Sequence, residues 1–329
     1  MNFMADMAAT AIARAQLTIG SELGKGQFKC VHRGKFRSRD AAIIKFEGCS
    51  QGKELEIILR LAQSGAQYVP EVYGTCSQSN SILVVQELAA FGTVKHVVQH
   101  KKDNFTSPHR LVVSAQVAEA MAFLGSQHIV HADLSCRNIL CFRLESDPMH
   151  TIVKLSDFGL SVVLDGSGHT IGNAQDFVLL TMGAVAQHQK QPRAVRWCAP
   201  ETIAYHKLSH QTDVWSLGAS LWEIFSREGR DPWMNWARRG DVDAQLRKLA
   251  LMMGNVGNDG SLAPMEQTIA MDFPRDAGCP PPVHVVILSC LSVDEFSRPT
   301  SSFIAATLQS QVGHLCDSVV DLDDETWVI

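Results

Sequence analysis

The periodicity of the chain changes at Leu88. Before it, short apolar runs bounded by turn residues recur at 17–19, 28–36, 41–46, 72–74 and 81–87. Runs of that length and bounding read as strands. After it, aliphatic residues fall at helical spacings over 110–126, 212–225, 283–291 and 301–308. A pattern with helical period does not settle into a strand, nor the reverse. The chain is therefore expected to form an α+β, bilobal structure. A small β-rich lobe spans 17–88 and a larger helical lobe spans 93–310, separated by the polar and small segment Ala89-Ala90-Phe91-Gly92-Thr93. One helix interrupts the strand-rich part, over 51–64, with Glu54, Ile57, Ile58 and Leu61 on one face. A further helix is expected over 242–253.

Composition narrows the classes. With 329 residues, the chain suits two domains or one large bilobal unit. A net charge of -5 argues against general affinity for nucleic acid or anionic membrane. Nine cysteines lie scattered without CxxC spacing, so neither a disulfide framework nor a structural zinc is expected, and a reducing, cytoplasmic setting is. No apolar run is long enough to span a bilayer. Residues 1–16 lack the pattern of a secretory leader and are read as an extension. The acidic stretch 311–329, with Asp317, Asp321, Asp323, Asp324 and Glu325, is expected to be a loose end.

Several polar residues stand where apolar ones would pack. Gly24-Lys25-Gly26 lies between two strand-like runs. Glycines there let backbone N–H groups approach a phosphate, though a plain hairpin would look the same. A dinucleotide-binding turn is excluded, because no helix follows. Lys45 ends an apolar strand, and Glu54 shares an aliphatic helix face. Each needs an opposite charge if it points inward, so the two are expected to pair. The loop 131–138 carries Asp133, Arg137 and Asn138 between the apolar pairs Ile129-Val130 and Ile139-Leu140. Asp157, within Ser156-Asp157-Phe158-Gly159, puts a carboxylate where a buried strand ends. Turn chemistry alone could account for either loop. The weakly periodic stretch 160–190 is long enough to expect a functional loop.

In this order and spacing the pieces resemble a eukaryotic-type protein kinase of the tyrosine-kinase or tyrosine-kinase-like group. The resemblance rests on Leu23-Gly24-Lys25-Gly26 with Val31, on Ile44-Lys45 and Glu54, and on His131-Ala132-Asp133 through Asn138. It also rests on Asp157-Phe158-Gly159, Ala199-Pro200-Glu201, Asp213-Val214-Trp215 and Arg298-Pro299. It covers 17–309. It implies ATP and Mg2+ as cofactors, a protein as substrate and phosphoryl transfer as the reaction. Lys45 would bind the α- and β-phosphates, held by Glu54. Asp133 would take the hydroxyl proton. Asn138 and Asp157 would ligate magnesium. Leu23, Gly24, Lys25, Gly26, Val31, Glu87, Ala89 and Leu140 would enclose the nucleotide, with Gln86 guarding the back of the site. Glu201 and Arg298 would pair structurally.

The resemblance favours tyrosine as the acceptor. Ser135 stands where serine/threonine kinases carry Lys, and Arg137 precedes Asn138 as in tyrosine kinases. A serine/threonine kinase of the tyrosine-kinase-like group is the alternative, because Ala194 replaces a proline usual in tyrosine kinases. A pseudokinase scaffold is the other alternative. Three departures bear on it. Lys29 replaces the third glycine of the Gly-rich loop, Ile43 stands two before Lys45 where a small residue is expected, and Ala132 replaces the Arg that reads a phosphorylated activation loop. Phosphorylation of that loop, which contains no Tyr, is accordingly not expected to be the main switch. Oligomeric state is left open by the sequence.

Overall fold

The structure is a computed structural model that describes residues 11–26, 29–47, 52–78, 81–164, 177–179, 195–226, 229–233 and 278–323. Residues 242–253 and most of 160–190 lie outside that set.

Five antiparallel strands form the first lobe: β1 (Leu17–Lys25), β2 (Lys29–Phe36), β3 (Arg39–Glu47), β4 (Val72–Gln78) and β5 (Ser81–Glu87). Their order across the sheet is β1-β2-β3-β5-β4. Side chains alternate between the two faces of a strand, and β3 shows both. Ala41 and Ile43 join Leu17, Leu83 and Val85 on the outer face. Ile44 and Phe46 join the large core on the inner face. Helix α1 (Gly52–Gln63) covers that inner face with Leu55, Ile57, Ile58, Leu59 and Leu61.

The second lobe is helical. Helix α2 (Val94–His100) begins where the chain leaves the sheet, capped by the Thr93 side chain, which accepts from His96 N at 3.1 Å. The sequence reading did not anticipate this helix. Its stripe is only Val94, Val97 and Val98, and seven residues carry too little periodicity to separate it from a loop. Helix α3 (Ser107–Ser126) follows, then short strands β6 (Ile129–Val130), β7 (Ile139–Arg143), β8 (Ile152–Leu155), β9 (Val162–Val163) and β10 (Phe177–Leu179). The loops between β6 and β7, and after β8, hold the polar residues singled out above.

Helix α4 (Pro200–Tyr205) and strand β11 (Lys207–Ser209) lead into α5 (His210–Phe225). Every α5 residue from Thr212 to Phe225 is buried. A helix enclosed on all sides organises the elements around it. Its start is fixed by a capping box in which Ser209 Oγ accepts from Thr212 N, and Thr212 Oγ1 from Ser209 N. Helices α6 (Pro281–Cys290) and α7 (Ser301–Asp323) complete the lobe. The expectation that 311–329 is a loose end is corrected over its described part, because α7 continues to Asp323. The stripe Ile304, Leu308, Val312 runs on past the last residue at which the sequence suggested an end, and α7 packs along α3.

Helices α5 and α6 approach closely at Gly218. A Cβ added there would lie 2.6 Å from Cys290 Cβ on α6 and 3.1 Å from Leu291 Cγ. Neither neighbour can swing aside as a long side chain could. Gly218→Ala is expected to destabilise the protein by about 1–3 kcal/mol, the usual cost of overpacking. Urea unfolding at constant m-value measures it; an unchanged midpoint would contradict the packing.

Candidate active site

The cation that faces Glu54 comes from β2. Lys29 Nζ is hydrogen-bonded to Glu54 Oε1 and lies 2.7 Å from Asp157 Oδ1. Lys45 instead turns outward and meets Glu47 Oε1 at 2.6 Å, with both side chains partly exposed to water. The expected Lys45–Glu54 pair is therefore corrected. The reason is strand parity: a shift of one residue reverses the face. Lys45 follows Ala41 and Ile43 onto the outer face, whereas Ile44 holds the inward position. Lys29 sits two residues before the inward Val31 and opposite the inward Phe46. The small residue expected over the nucleotide is then Ala42, two before Ile44, and Ile43 crowds nothing there.

Charge explains why the three side chains hold together. Burial disfavours the Lys29 ammonium, but Glu54 and Asp157 outweigh this, and its pKa is raised. Burial raises the Glu54 pKa against the opposing pull of Lys29. Burial acts on Asp157 in the same sense, but Lys29 prevails and holds that carboxyl below its usual range. Asp157 has φ +66, a left-handed conformation uncommon for a residue other than glycine. Its Oδ1 also accepts from Gly159 N at 3.3 Å.

This cluster lines a cavity of about 1140 Å³ between the lobes. Leu23, Gly24, Val31, Ala42 and Ile44 contribute from the sheet, Gln86, Glu87 and Ala89 from the connection, and Asn138, Leu140 and Asp157 from below. Lys25, Gly26 and Lys45, all expected at the nucleotide, do not line it. The Glu87 carboxylate is held by Lys154 Nζ at 2.6 Å, and Phe91 N donates to Cys141 O, tying the connection to β7. Asp133 is joined to the cavity wall through Asn138. Asn138 Nδ2 donates to Asp133 O at 2.7 Å and to Asp133 Oδ2 at 3.0 Å.

Residues 17–308 match the family profile described as protein tyrosine and serine/threonine kinase. The chain belongs to the protein kinase family. It is 30% identical over 237 residues to a mouse protein named tyrosine-protein kinase TXK, covering 70% of this chain and 40% of that one. It is 27% identical over 322 residues to the Ack-related non-receptor tyrosine kinase of Caenorhabditis elegans, covering 94% of this chain and 27% of the relative. The chain thus spans less than half the length of either.

The kinase loop carrying Asp133 is fixed from beneath. Asp213, in the first turn of α5, accepts from His131 N at 2.6 Å and Ala132 N at 2.9 Å. Ala132 has φ +64, and this pair of bonds holds it there. Glu201 and Arg298 form a buried two-pronged ion pair, with Oε1–Nη1 at 2.5 Å and Oε2–Nη2 at 3.0 Å. Lys29, Ala42 and Ile44 are the site residues that sequence reasoning missed. Counting back by two from Val31 gives Lys29, and the pairing of Val31 with Ile44 places Ile44 and Ala42 on the same face.

The donor set suits magnesium rather than a metal caged by protein alone. Among the described residues, no group of three or more His, Cys, Asp and Glu side chains could hold a metal ion. Magnesium is commonly held by one or two carboxylates together with substrate phosphates. With Asn138 Nδ2 committed to Asp133, its Oδ1 and the Asp157 carboxylate are the oxygens on offer. Among the described residues no helix is long and apolar enough to cross a membrane.

The buried His131 gives the site a pH dependence. Its Nε2 meets Ser156 O at 3.2 Å, Asp133 N donates to Nδ1 at 3.3 Å, and its ring packs on Phe158. Burial lowers its pKa to about 4. Between pH 6.5 and 4 the unfolded chain then binds the proton more readily than the folded one, so stability rises with pH across that window. The contribution is complete above pH 6.5, and about 3 kcal/mol is lost as pH falls to 4. Between pH 7 and 4 the unfolding free energy of wild type is expected to fall by about 3 kcal/mol more than that of His131→Gln. Parallel curves would contradict it.

Proposed function

We propose that the chain is an active protein kinase that uses ATP and magnesium to phosphorylate a protein hydroxyl, that of tyrosine. The observation that carries this is the convergence of Lys29, Glu54 and Asp157 at one cavity wall, beside Asn138 and Asp133. A partly buried cation held between two acids is costly to assemble, and phosphate binding would make use of it.

Phosphoryl transfer needs positioning and neutralised charge more than covalent help. Lys29, steadied by Glu54, would grip the α- and β-phosphates from the hairpin that covers them. Asn138 and Asp157 would hold magnesium, which when bound neutralises charge on the phosphates. Asp133 would orient the acceptor hydroxyl and take its proton. Leu23, Gly24, Val31, Ala42 and Leu140 would enclose the base and sugar, with the Glu87 and Ala89 backbone meeting adenine.

The printed names of both relatives, together with Ser135 and Arg137, support tyrosine. The Arg137 guanidinium lies over the Trp197 ring at 4.6 Å, which joins the Asp133 loop to the segment before α4. The cytoplasmic setting remains part of this proposal; all seven described cysteines are free thiols. The domain limits 17–310 remain part of it too.

The test is peptide phosphorylation with labelled ATP and magnesium, followed by phosphoamino-acid analysis. Lys29→Met is expected to lower kcat/KM at least about 100-fold and Asp133→Ala about 10²–10⁴-fold, whereas Lys45→Met stays within about threefold. Lys29→Gly with Ile44→Lys is expected to recover much of the loss, because position 44 faces inward. Collapse in Lys45→Met with Lys29→Met unaffected would reverse the assignment. Wild-type transfer that Asp133→Ala leaves intact would overturn the mechanism, and no transfer at all would favour a scaffold. Phosphoserine or phosphothreonine as the sole product would replace tyrosine with the serine/threonine reading.

Ala132 supports a second element of the proposal, that phosphorylation of the loop after Asp157 is not the main switch. Thr170 and Thr181 lie outside the described residues. Activity of the double variant Thr170→Ala, Thr181→Ala is expected within about threefold of wild type. A collapse would show that the loop still acts as a switch.

A further inference from the structure

The buried carboxylate of Glu223, on α5, has no part in the chemistry above. Its side chain is 0% exposed, and both oxygens are engaged. Oε2 accepts from Cys136 N at 3.2 Å and from Trp197 Nε1 at 3.1 Å. Oε1 meets Lys95 Nζ at 2.6 Å. Lys95 lies in the first turn of α2, and its ammonium also donates to Gly229 O at 2.6 Å and Asp231 Oδ1 at 2.7 Å. Three acceptors thus share the three protons of one ammonium. Gly229 is held close by, in a left-handed conformation, where a Cβ would come within 3.1 Å of Val98 on α2.

One residue of the catalytic loop is bound through both its N–H and its carbonyl by this arrangement. Cys136 N donates to Glu223, and Cys136 O accepts from Lys95 N at 2.9 Å. The Cys136 thiol also points at Ser220 O, at 3.6 Å. Cys136 lies three residues after Asp133 and two before Asn138, and Asn138 N donates to Ser135 O at 2.9 Å. Arg110, on α3, bonds the carbonyls of Ile224 and Ser226 rather than the carboxylate. Among the described residues, the cation that meets the charge on Glu223 is Lys95.

We propose that Lys95 is a positioning residue of this kinase: by neutralising Glu223 it lets that carboxylate hold the Cys136 peptide, and through it the loop that presents Asp133 and Asn138. The roles of Asp133 and Asn138 rest on the reading given above. Removing the ammonium leaves a buried charge without its partner, which is far more damaging than removing both members of the pair. Asp231 is 38% exposed and relaxes into water when Lys95 is lost.

The experiment compares wild type, Lys95→Met, Lys95→Arg and the double variant Lys95→Met, Glu223→Gln. Two readouts are used: steady-state peptide phosphorylation, and amide hydrogen exchange over 133–138, which reports loop order whether or not the protein turns over. Lys95→Met is expected to lower kcat at least tenfold, leave KM for ATP within threefold, and speed exchange over 133–138. Lys95→Arg and the double variant are expected to return kcat and exchange to within about fivefold of wild type. Wild-type exchange and kcat in Lys95→Met would overturn the proposal, as would a folded double variant as impaired as the single one. If Lys95→Met does not fold, the double variant decides: recovery supports the proposal, and an unfolded or inactive protein overturns it. Absence of transfer by wild type would defeat the kinase reading, and the exchange comparison would still decide the role of Lys95.

Discussion

One ammonium between two carboxylates joins the lobes. Lys29 belongs to the sheet, Glu54 to the helix that covers it, and Asp157 to the loop after β8 in the helical lobe. An ion taken from water is costly unless its partners are close and oriented. The three side chains therefore constrain one another. Glu54 needs a cation because Leu55 and Ile58 bury its helix face; Lys29 needs anions because its strand faces the same core. The arrangement places charge on the wall of the cavity between the lobes, and the apolar packing around it offsets the cost.

The helical lobe solves a different problem, which is to hold a short polar loop still. Helix α5 does so from two places about three turns apart. Asp213, in its first turn, takes the N–H groups at the start of the loop, and Glu223, near its end, takes the N–H of Cys136. Ser216 Oγ, between them, donates to Trp197 O at 2.7 Å. Each contact satisfies a backbone group that burial would otherwise leave without water. The rigidity of the site thus derives from a helix that itself contributes no group to the chemistry.

Much of this could be read from the residues. The strand at 81–87 and the helix at 210–225 have strong, unmixed patterns, and Asp133, Asn138 and Asp157 stand out because little but function or turn chemistry places them between apolar strands. The position of Lys45 could not be read, because Ala41 to Phe46 is nearly continuous apolar sequence. A strand buried on both faces hides the alternation that would show which side a lysine takes. Lys29 looked like the loss of a glycine because a local motif was weighed without the pairing of β2 and β3. Helix α2 was too short to show a period, and the continuation of α7 was hidden because acids crowd the sequence after Val312. Lys95 gave no signal at all: its three acceptors come from 128, 134 and 136 residues away in sequence.

The placement of Lys29 also constrains inheritance. Positions 29 and 44 are diagonal neighbours on adjacent strands, 29 opposite Phe46 and 44 opposite Val31. Both line the cavity whose wall carries Glu54. For a lineage that began with its lysine on the central strand, an intermediate without either lysine would strand Glu54 in the core, whereas an intermediate with both is merely crowded. Physical chemistry favours gain before loss. With Lys29 meeting Glu54, position 44 needs no charge and is Ile, and Lys45 pairs outside with Glu47.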